Sequence, residues 1–481
     1  MNPKIRIAAA LLSLMLLPAL NVRGEVSLDS CRNMALRNNK TLRAADEAVR
    51  SADFERKSAK SAYLPGVDFT AAYAYNQRKT RLLSSHAELP PITSVPGVGD
   101  LLGGLGEMTG NPALGQQLAG ALGSIGDGLL DGVKDLLTFD TRQVFGGVVT
   151  LTQPVYMGGT IRALNKIAEH SESALTSARD QARQDVVFAV DEAYWTVVSL
   201  VAKRRLAESF VTLIDTLHYN VNAMVDAGVA TRSDLLNVDV SRNAARLALT
   251  KVDNGLTLSR MALAEVCGLP VNTQMTLADE EGRGVDGQMP AYAYDMRDVY
   301  ASRQDLEAVR QGIRVLEARE DLVKGSMLPK LGIVGSYSFM TPNLYNGFSR
   351  DIKGNFSIGA GLSIPIWHWG GNLNRYKAAK AQTNAQRILL EDLEQKVELQ
   401  VNQAKFQYEE AFKTYDIAMS SMTAAEENLR NANLGFREGM NTINDVILAQ
   451  TGWLQAQSER IDAEIGIHLC RVYLTKVLGR L

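Results

Sequence analysis

Cysteine is scarce: only Cys31, Cys267 and Cys470 occur, so a disulfide framework is not the organising principle. One pair is possible in an oxidising compartment, and the sequence does not say which. Cys31 follows Leu28-Asp29-Ser30, faintly like a lipid-attachment site, but it lies too far beyond the apolar N-terminal stretch and reads as a helix residue. After Gly24 no predominantly apolar run of about 18 residues appears, which argues against a helical membrane protein. No charge of one sign dominates: 51 Lys+Arg face 53 Asp+Glu, leaving no field for nucleic acid. The five histidines, at 86, 170, 218, 368 and 468, lack any metal-ligand spacing, so no metal is expected. His368, between Trp367 and Trp369, reads as part of an interfacial turn. No Cys-x-x-Cys, phosphate-binding Lys loop or Gly-x-Ser-x-Gly occurs, so neither enzyme nor cofactor is expected.

What is present begins with an export signal. Lys4 and Arg6 precede an apolar stretch from Ile7 to Leu20, interrupted by Ser13 and Pro18. This is the layout of a secretory signal peptide over 1–24, with cleavage expected between Ala19 and Gly24.

The rest repeats itself. Leu64-Pro65 recurs as Leu328-Pro329, an offset of 264. Pro154, Gly158 and Gly159 recur as Pro365, Gly370 and Gly371, the glycines at an offset of 212. Gly228, Thr231 and Asp234 recur as Gly439, Thr442 and Asp445, and Val266 and Gly268 as Val477 and Gly479, all at 211. The drop from 264 to 212 means about 52 extra residues in the first copy. They fall mostly within 86–139, rich in Gly, Leu and Pro. The expected layout is a first repeat over 25–270, a linker over 271–296 and a second repeat over 297–481. Each repeat reads as helix, strand, loop, strand, long helix, tip turn and return helix.

Four segments alternate with period two: 67–76, 144–153, 331–339 and 356–364. Val67, Phe69, Ala71, Tyr73 and Tyr75 share one face; Phe356, Ile358, Ala360, Leu362 and Ile364 share another, opposite small residues. Strands of about 9–11 residues with one apolar face fit the wall of an outer-membrane barrel. A half-buried sheet of a soluble protein alternates in the same way. If the strands do span a membrane, four cannot close a barrel, so several chains must share one. Two copies would supply eight strands and three would supply twelve.

The helical segments are too long for a globular core. No Pro interrupts Gly371 to Phe436. Leu390, Leu393, Val397, Val401, Ala404, Tyr408, Ala411, Tyr415, Ala418 and Met422 recur in steps of three and four, a coiled-coil seam. A similar seam runs from Val186 through Lys203 and Phe210 to Met224. About 65 residues of helix extend roughly 95–100 Å. Return helices are expected over about 233–266 and 444–478, and initial helices over about 27–62 and 297–326.

The duplicated Pro-aromatic-Gly-Gly turns (Pro154 to Gly159, Pro365 to Gly371) and the tips Gly228-Val229-Ala230-Thr231 and Gly439-Met440-Asn441-Thr442 resemble the TolC family of outer-membrane efflux proteins. The resemblance covers essentially the whole chain after the signal. It implies a mixed α and transmembrane β fold: a homotrimer with a twelve-stranded barrel in outer-membrane lipid and a long periplasmic α-helical coiled-coil barrel. It implies a passive exit channel for efflux or type I secretion. The tips, with Gly228, Thr231, Gly439 and Thr442, would meet a periplasmic adaptor (membrane fusion) protein coupled to an inner-membrane pump of RND, ABC or MFS type. Pro154, Gly158, Gly159, Pro365, Gly370 and Gly371 would turn the barrel into the helices. Asp445 resembles an acidic ring position at the tunnel mouth; Leu448 stands where the family places a second one. Phe436 and Asn441 stand where some members carry a Tyr and an Arg that tie the tip shut, with Asp234 resembling their acidic partner. Phe and Asn cannot make that charged link, so closure must be held differently. Asp234 and Asp445 also sit where acids commonly begin helices. The competing class is a structural or adhesive coiled-coil protein of the cell envelope without a pore, and a periplasmic adaptor is a further rival. The insertion 86–139 is expected to be extracellular.

Overall fold

The structure, a computed structural model, describes residues 25–77, 80–81, 116–117, 120–121, 138–139, 142–281, 293–343 and 349–481. The signal segment 1–24 and nearly all of the insertion 86–139 lie outside these residues. The elements are α1 (Leu28–Asn38), α2 (Lys40–Ser61), β1 (Gly66–Tyr75), β2 (Thr80–Arg81), β3 (Thr138–Phe139), β4 (Gln143–Met157), α3 (Thr160–Asp226), α4 (Arg232–Val266), α5 (Met296–Ser302), α6 (Gln304–Gly325), β5 (Lys330–Thr341), β6 (Lys353–Ser363), α7 (Gly371–Arg437) and α8 (Ile443–Val477). The chain divides into two units: a helical one (Met1–Ala59, Arg162–Val323, Leu373–Leu481) and a strand-bearing one (Lys60–Ile161, Lys324–Asn372).

In the strand-bearing unit, four antiparallel strands lie in the order β1-β4-β5-β6. Register decides their chemistry, because a slip of one residue would invert every face. Val67 pairs Leu151, which pairs Gly335, which pairs Ile358; Phe69 pairs Val149, then Tyr337, then Phe356. The apolar set of every strand therefore falls on one face. The other face carries rungs such as Asp68, Thr150, Ser336 and Ser357, with the last two hydroxyls 2.7 Å apart. The apolar face is uncovered: Phe69 is 62% exposed and Ile358 70%. A half-buried soluble sheet would bury that face, so within this chain the membrane-wall reading gains over its rival. Gly147 and Gly354 leave room for Phe339 and Tyr337 on the neighbouring strands; a Cβ at Gly354 would lie 2.1 Å from the Tyr337 ring.

β4 runs four residues further than its alternation predicts, to Met157. Pro154 therefore sits within β4 and not in the turn after it. The pairing with β5 is irregular between Pro154 and Tyr156, as suits a residue with no N–H to give the ladder. Its counterpart Pro365 does follow the end of β6.

In the helical unit, α3 and α7 each contain 67 residues, about 100 Å of helix. Each initial helix, expected to be continuous, is broken once: at Asn39 between α1 and α2, and at Arg303 between α5 and α6. Both break residues are extended, with ψ 127 at Asn39 and ψ 116 at Arg303. Two equivalent cores surround the breaks. One joins Cys31 and Ala35 to Val190, Tyr194 and Val197 of α3 and Leu263 of α4. The other joins Val299 and Leu306 to Val397, Val401 and Tyr408 of α7 and Leu474 of α8. Residues 275–279, within the expected linker, are packed: Met275 and Leu277 are buried, and Tyr194 donates to Asp279 Oδ2 at 2.7 Å.

Candidate functional site: the helix-hairpin tips

Both tips are built the same way. α3 ends in a glycine with positive φ, Gly228 (φ 75), and α7 in Gly439 (φ 69). The left-handed backbone lets the following amides close onto the last turn: Val229 N donates to Met224 O at 2.8 Å, and Met440 N to Gly435 O at 2.7 Å. A reciprocal capping box then opens each return helix. Asp234 N donates to Thr231 Oγ1 at 3.2 Å while Thr231 N donates to Asp234 Oδ2 at 2.9 Å. In the second tip the distances are 3.2 Å from Asp445 N to Thr442 Oγ1 and 2.8 Å from Thr442 N to Asp445 Oδ2. In each case the Thr hydroxyl also donates to the same carboxylate oxygen at 2.7 Å. The Thr hydroxyl, then the Thr amide, hold Asp234 and Asp445 below the usual carboxylate range. Both acids therefore serve as helix-start residues, as their position allowed.

Behind the turns an apolar cluster joins the two hairpins. Leu217 and Val221 of α3, Leu235 and Val238 of α4, and Ile443 and Val446 of α8 are buried together, with Phe436 of α7 packed against them. Asn441 donates from Nδ2 to Ala432 O at 3.3 Å. Its side chain fills the space above Gly435, where a Cβ would lie 2.5 Å from Nδ2. Of the five residues singled out for closure, the structure gathers Phe436 into the cluster and puts Asn441 beside it. Asp234 and Asp445 cap separate helices, and Leu448 stands exposed. Sequence reasoning passed over Val229 and Met440, the apolar residues next to the tip glycines, which are 73% and 76% exposed. Their signal was an apolar side chain at the crest of a turn.

At the other end of the long helices, Gly158, Gly159 and Gly370 all have positive φ (62, 82 and 76). Gly158 also meets backbone: a Cβ there would lie 2.4 Å from Gly325 O. Any side chain would push the two segments apart.

An uncovered four-stranded sheet with an apolar and a polar face, joined in sequence to helices of this length, defines a class: outer-membrane channels with a helical extension. A family model described as "Outer membrane efflux protein" matches residues 124–269 and 296–480, and the chain belongs to that family. It is an outer-membrane efflux channel of the tripartite kind with a periplasmic helical extension, and such channels are not enzymes. Among curated relatives, "Outer membrane efflux protein BepC" of Brucella suis biovar 1 is 23% identical over 336 residues, 69% of this chain and 72% of the relative. Among solved structures, CusC superposes with a TM-score of 0.72 at 14% identity, covering 97% of this chain and 95% of CusC. VceC of Vibrio cholerae gives 0.70 at 12% identity, with 94% and 96% covered. The open state of the MtrE channel of Neisseria gonorrhoeae gives 0.71 at 17%, with 94% and 88% covered. These likenesses carry the fold: four antiparallel strands per chain with long helices.

Proposed function

We propose that three copies of this chain close one twelve-stranded barrel and form a passive exit duct whose periplasmic tips dock an adaptor coupled to an inner-membrane pump. The two repeats, 25–270 and 297–481, would each supply one strand hairpin and one helix hairpin. The observation that carries the reading is the sheet itself. Among the described residues, β1 and β6 each pair on one side only, and their apolar face is bare. An open edge in hydrocarbon costs several kcal/mol per unpaired backbone group, so the edges must meet other chains. Pairing β6 of one copy with β1 of the next satisfies every edge at once.

The tips support adaptor docking by Val229 and Met440 beside Gly228, Thr231, Gly439 and Thr442. Solvent-exposed apolar side chains at a turn crest suit an apolar partner groove better than water. Closure of the tip is read as apolar, with Phe436 in the hairpin-joining cluster where a charged link is lacking. Asp445 is read as a ring at the mouth, its carboxylate held ionised by the capping bonds. The test is conductance in a planar bilayer together with mass in detergent. A trimer that conducts is expected; a conducting monomer, or a trimer without conductance, would overturn the channel reading. For docking, Val229→Asp with Met440→Asp should weaken adaptor capture at least tenfold while trimer yield is unchanged. Unaltered capture would remove these residues from the interface.

A further inference from the structure

Three cysteines permit three pairings, and the fold separates them. Cys31, in α1, and Cys267, the residue after α4, are both fully buried in one core. Both are free thiols, and the Cys267 thiol donates to the Cys31 carbonyl oxygen at 3.7 Å, which puts that sulfur against the Cys31 backbone. Cys470 packs in the other core, against α7 residues. We propose that Cys31 and Cys267 form a disulfide in the mature protein, clasping the N-terminal helix to the end of the first return helix, while Cys470 stays reduced. The proposal rests on the periplasmic placement of the helical unit, where disulfides persist.

The chemistry balances with a disulfide-bearing oxidant. One cysteine thiolate attacks it, forming a mixed disulfide and releasing one thiol of the oxidant. The second cysteine then attacks the mixed disulfide, forming the Cys31–Cys267 bond and releasing the other thiol. Two protons and two electrons pass from the protein to the oxidant. The order of events follows from burial. In the folded core neither sulfur is reachable, because both residues are fully buried and an oxidant must touch the sulfur it attacks. Exchange must therefore precede docking of α1, and the finished bond is shielded from reductant afterwards. The clasp closes a loop from residue 31 to residue 267, a long span of the unfolded chain, where a crosslink removes the most freedom. Val26 strengthens the same tie without covalency: its N–H donates to Thr276 O at 2.8 Å and its C=O accepts from Ala278 N at 3.1 Å.

The experiment uses the full-length trimer extracted from outer membranes. It is unfolded in guanidinium with iodoacetamide, with and without prior reduction, then digested and mapped by mass spectrometry. Without reduction only Cys470 should be alkylated, and a linked peptide pair carrying Cys31 and Cys267 should appear. After reduction in denaturant all three should be alkylated. Reduction of the folded trimer should leave the linked pair intact. In Cys470→Ser the linkage should persist, and in Cys31→Ser the Cys267 peptide should become alkylatable and the melting temperature fall by several degrees. Full alkylation of Cys31 and Cys267 in unreduced wild type, or a linkage through Cys470, would overturn the proposal. Loss of the linkage with a conducting trimer would leave the channel reading standing.

Discussion

The two helix breaks share a backbone plan and differ in chemistry. Asn39 and Arg303 occupy equivalent positions, and each reaches the last carbonyl of its return helix. Asn39 Nδ2 donates to Val266 O at 3.0 Å; Arg303 Nη1 donates to Val477 O at 3.2 Å. Beyond that they diverge. Asn39 Oδ1 caps α2 by accepting from Thr41 N and Leu42 N at 2.9 and 3.2 Å. Arg303 instead locks onto Asp305 through two bonds of 2.9 and 2.5 Å. Asp305 then accepts from Leu306 N at 2.9 Å, completing the cap by a second residue. The two repeats turn at the same place, but the polar group that satisfies the turn differs: a neutral amide in the first, an ion pair in the second.

The largest expected effect lies at the glycines seated against these breaks. Gly268 (φ 71) and Gly479 (φ 70) both need a left-handed backbone. A side chain at either costs about 1–2 kcal/mol from conformation alone. Their surroundings differ. A Cβ at Gly268 would lie 2.6 Å from the backbone of Asn38, which cannot rotate away. At Gly479 it would first meet the Ser302 hydroxyl at 2.6 Å, with the nearest backbone atom, of Ser302, at 3.1 Å, a looser approach than the one to Asn38. Gly268→Ala should therefore lose a further amount of about 1–3 kcal/mol through overpacking. The check is the melting temperature of each purified trimer. Equal losses would mean that the two joints are tolerant to the same degree.

Second comes the polar group at each break. Asn39→Ala should cost about 1 kcal/mol, the usual loss of a cap. Arg303→Ala should cost about 2–3 kcal/mol, because it strands the Asp305 carboxylate, which burial disfavours. Acid separates the two further. Burial raises Asp305, but the bonds and charge of Arg303 outweigh it and hold the carboxylate below its ordinary value. A depressed acid contributes stability above its unfolded pKa of about 4 and loses it as pH falls through the folded value. Amide exchange near 303–306 should accelerate below about pH 4 well before exchange near 39–42, whose cap is neutral. Parallel acceleration at both would show that Asp305 does not govern its joint.

How far the sequence disclosed this depended on whether a feature is periodic or local. The four strands and both long helices were legible because alternation and heptads repeat over many residues. Lys203, which interrupts the first seam, is explained by an ion pair with Asp462 at 2.7 Å. The breaks at Asn39 and Arg303 were not legible: each spans a single residue, and neither Gly nor Pro marks it. Pro154 was misplaced for the opposite reason. It carries a strong turn signal, yet β5 continues alongside, and an irregularity in the ladder absorbs the missing N–H. At the tips the glycines and capping residues could be found from the duplication, but the clustering of Phe436 with α3, α4 and α8 is a tertiary fact.

The third comparison is between the tips, where nearly equal effects are expected. Thr231→Ala and Thr442→Ala remove caps of matching geometry, so each should lower helix-start stability by about 1 kcal/mol. Exchange of the amides of residues 234 and 445 reports each directly. A much larger loss at one tip would reveal a partner that the other lacks.

The smallest effect on stability, and the one that bears most on the pore, is Asp445→Asn set against Asp234→Asn. Both carboxylates accept the same bonds from their threonines, and both are held ionised by them. An amide oxygen can still accept from the Thr amide, so each change should cost only a few tenths of a kcal/mol. If capping were the whole role of these acids, the two variants would behave alike in every assay. If, as proposed, three Asp445 carboxylates ring a narrow mouth, they would add something that capping does not, namely a field that favours cations in transit. Reversal potentials in asymmetric salt should then shift toward zero in Asp445→Asn. In Asp234→Asn they should stay closer to the wild-type value. The shift should shrink at high ionic strength, where exposed charges are screened over about 3 Å at 1 M. Identical reversal potentials in wild type and both variants, with trimers intact, would assign Asp445 to helix capping alone and leave the selectivity of the duct to the barrel.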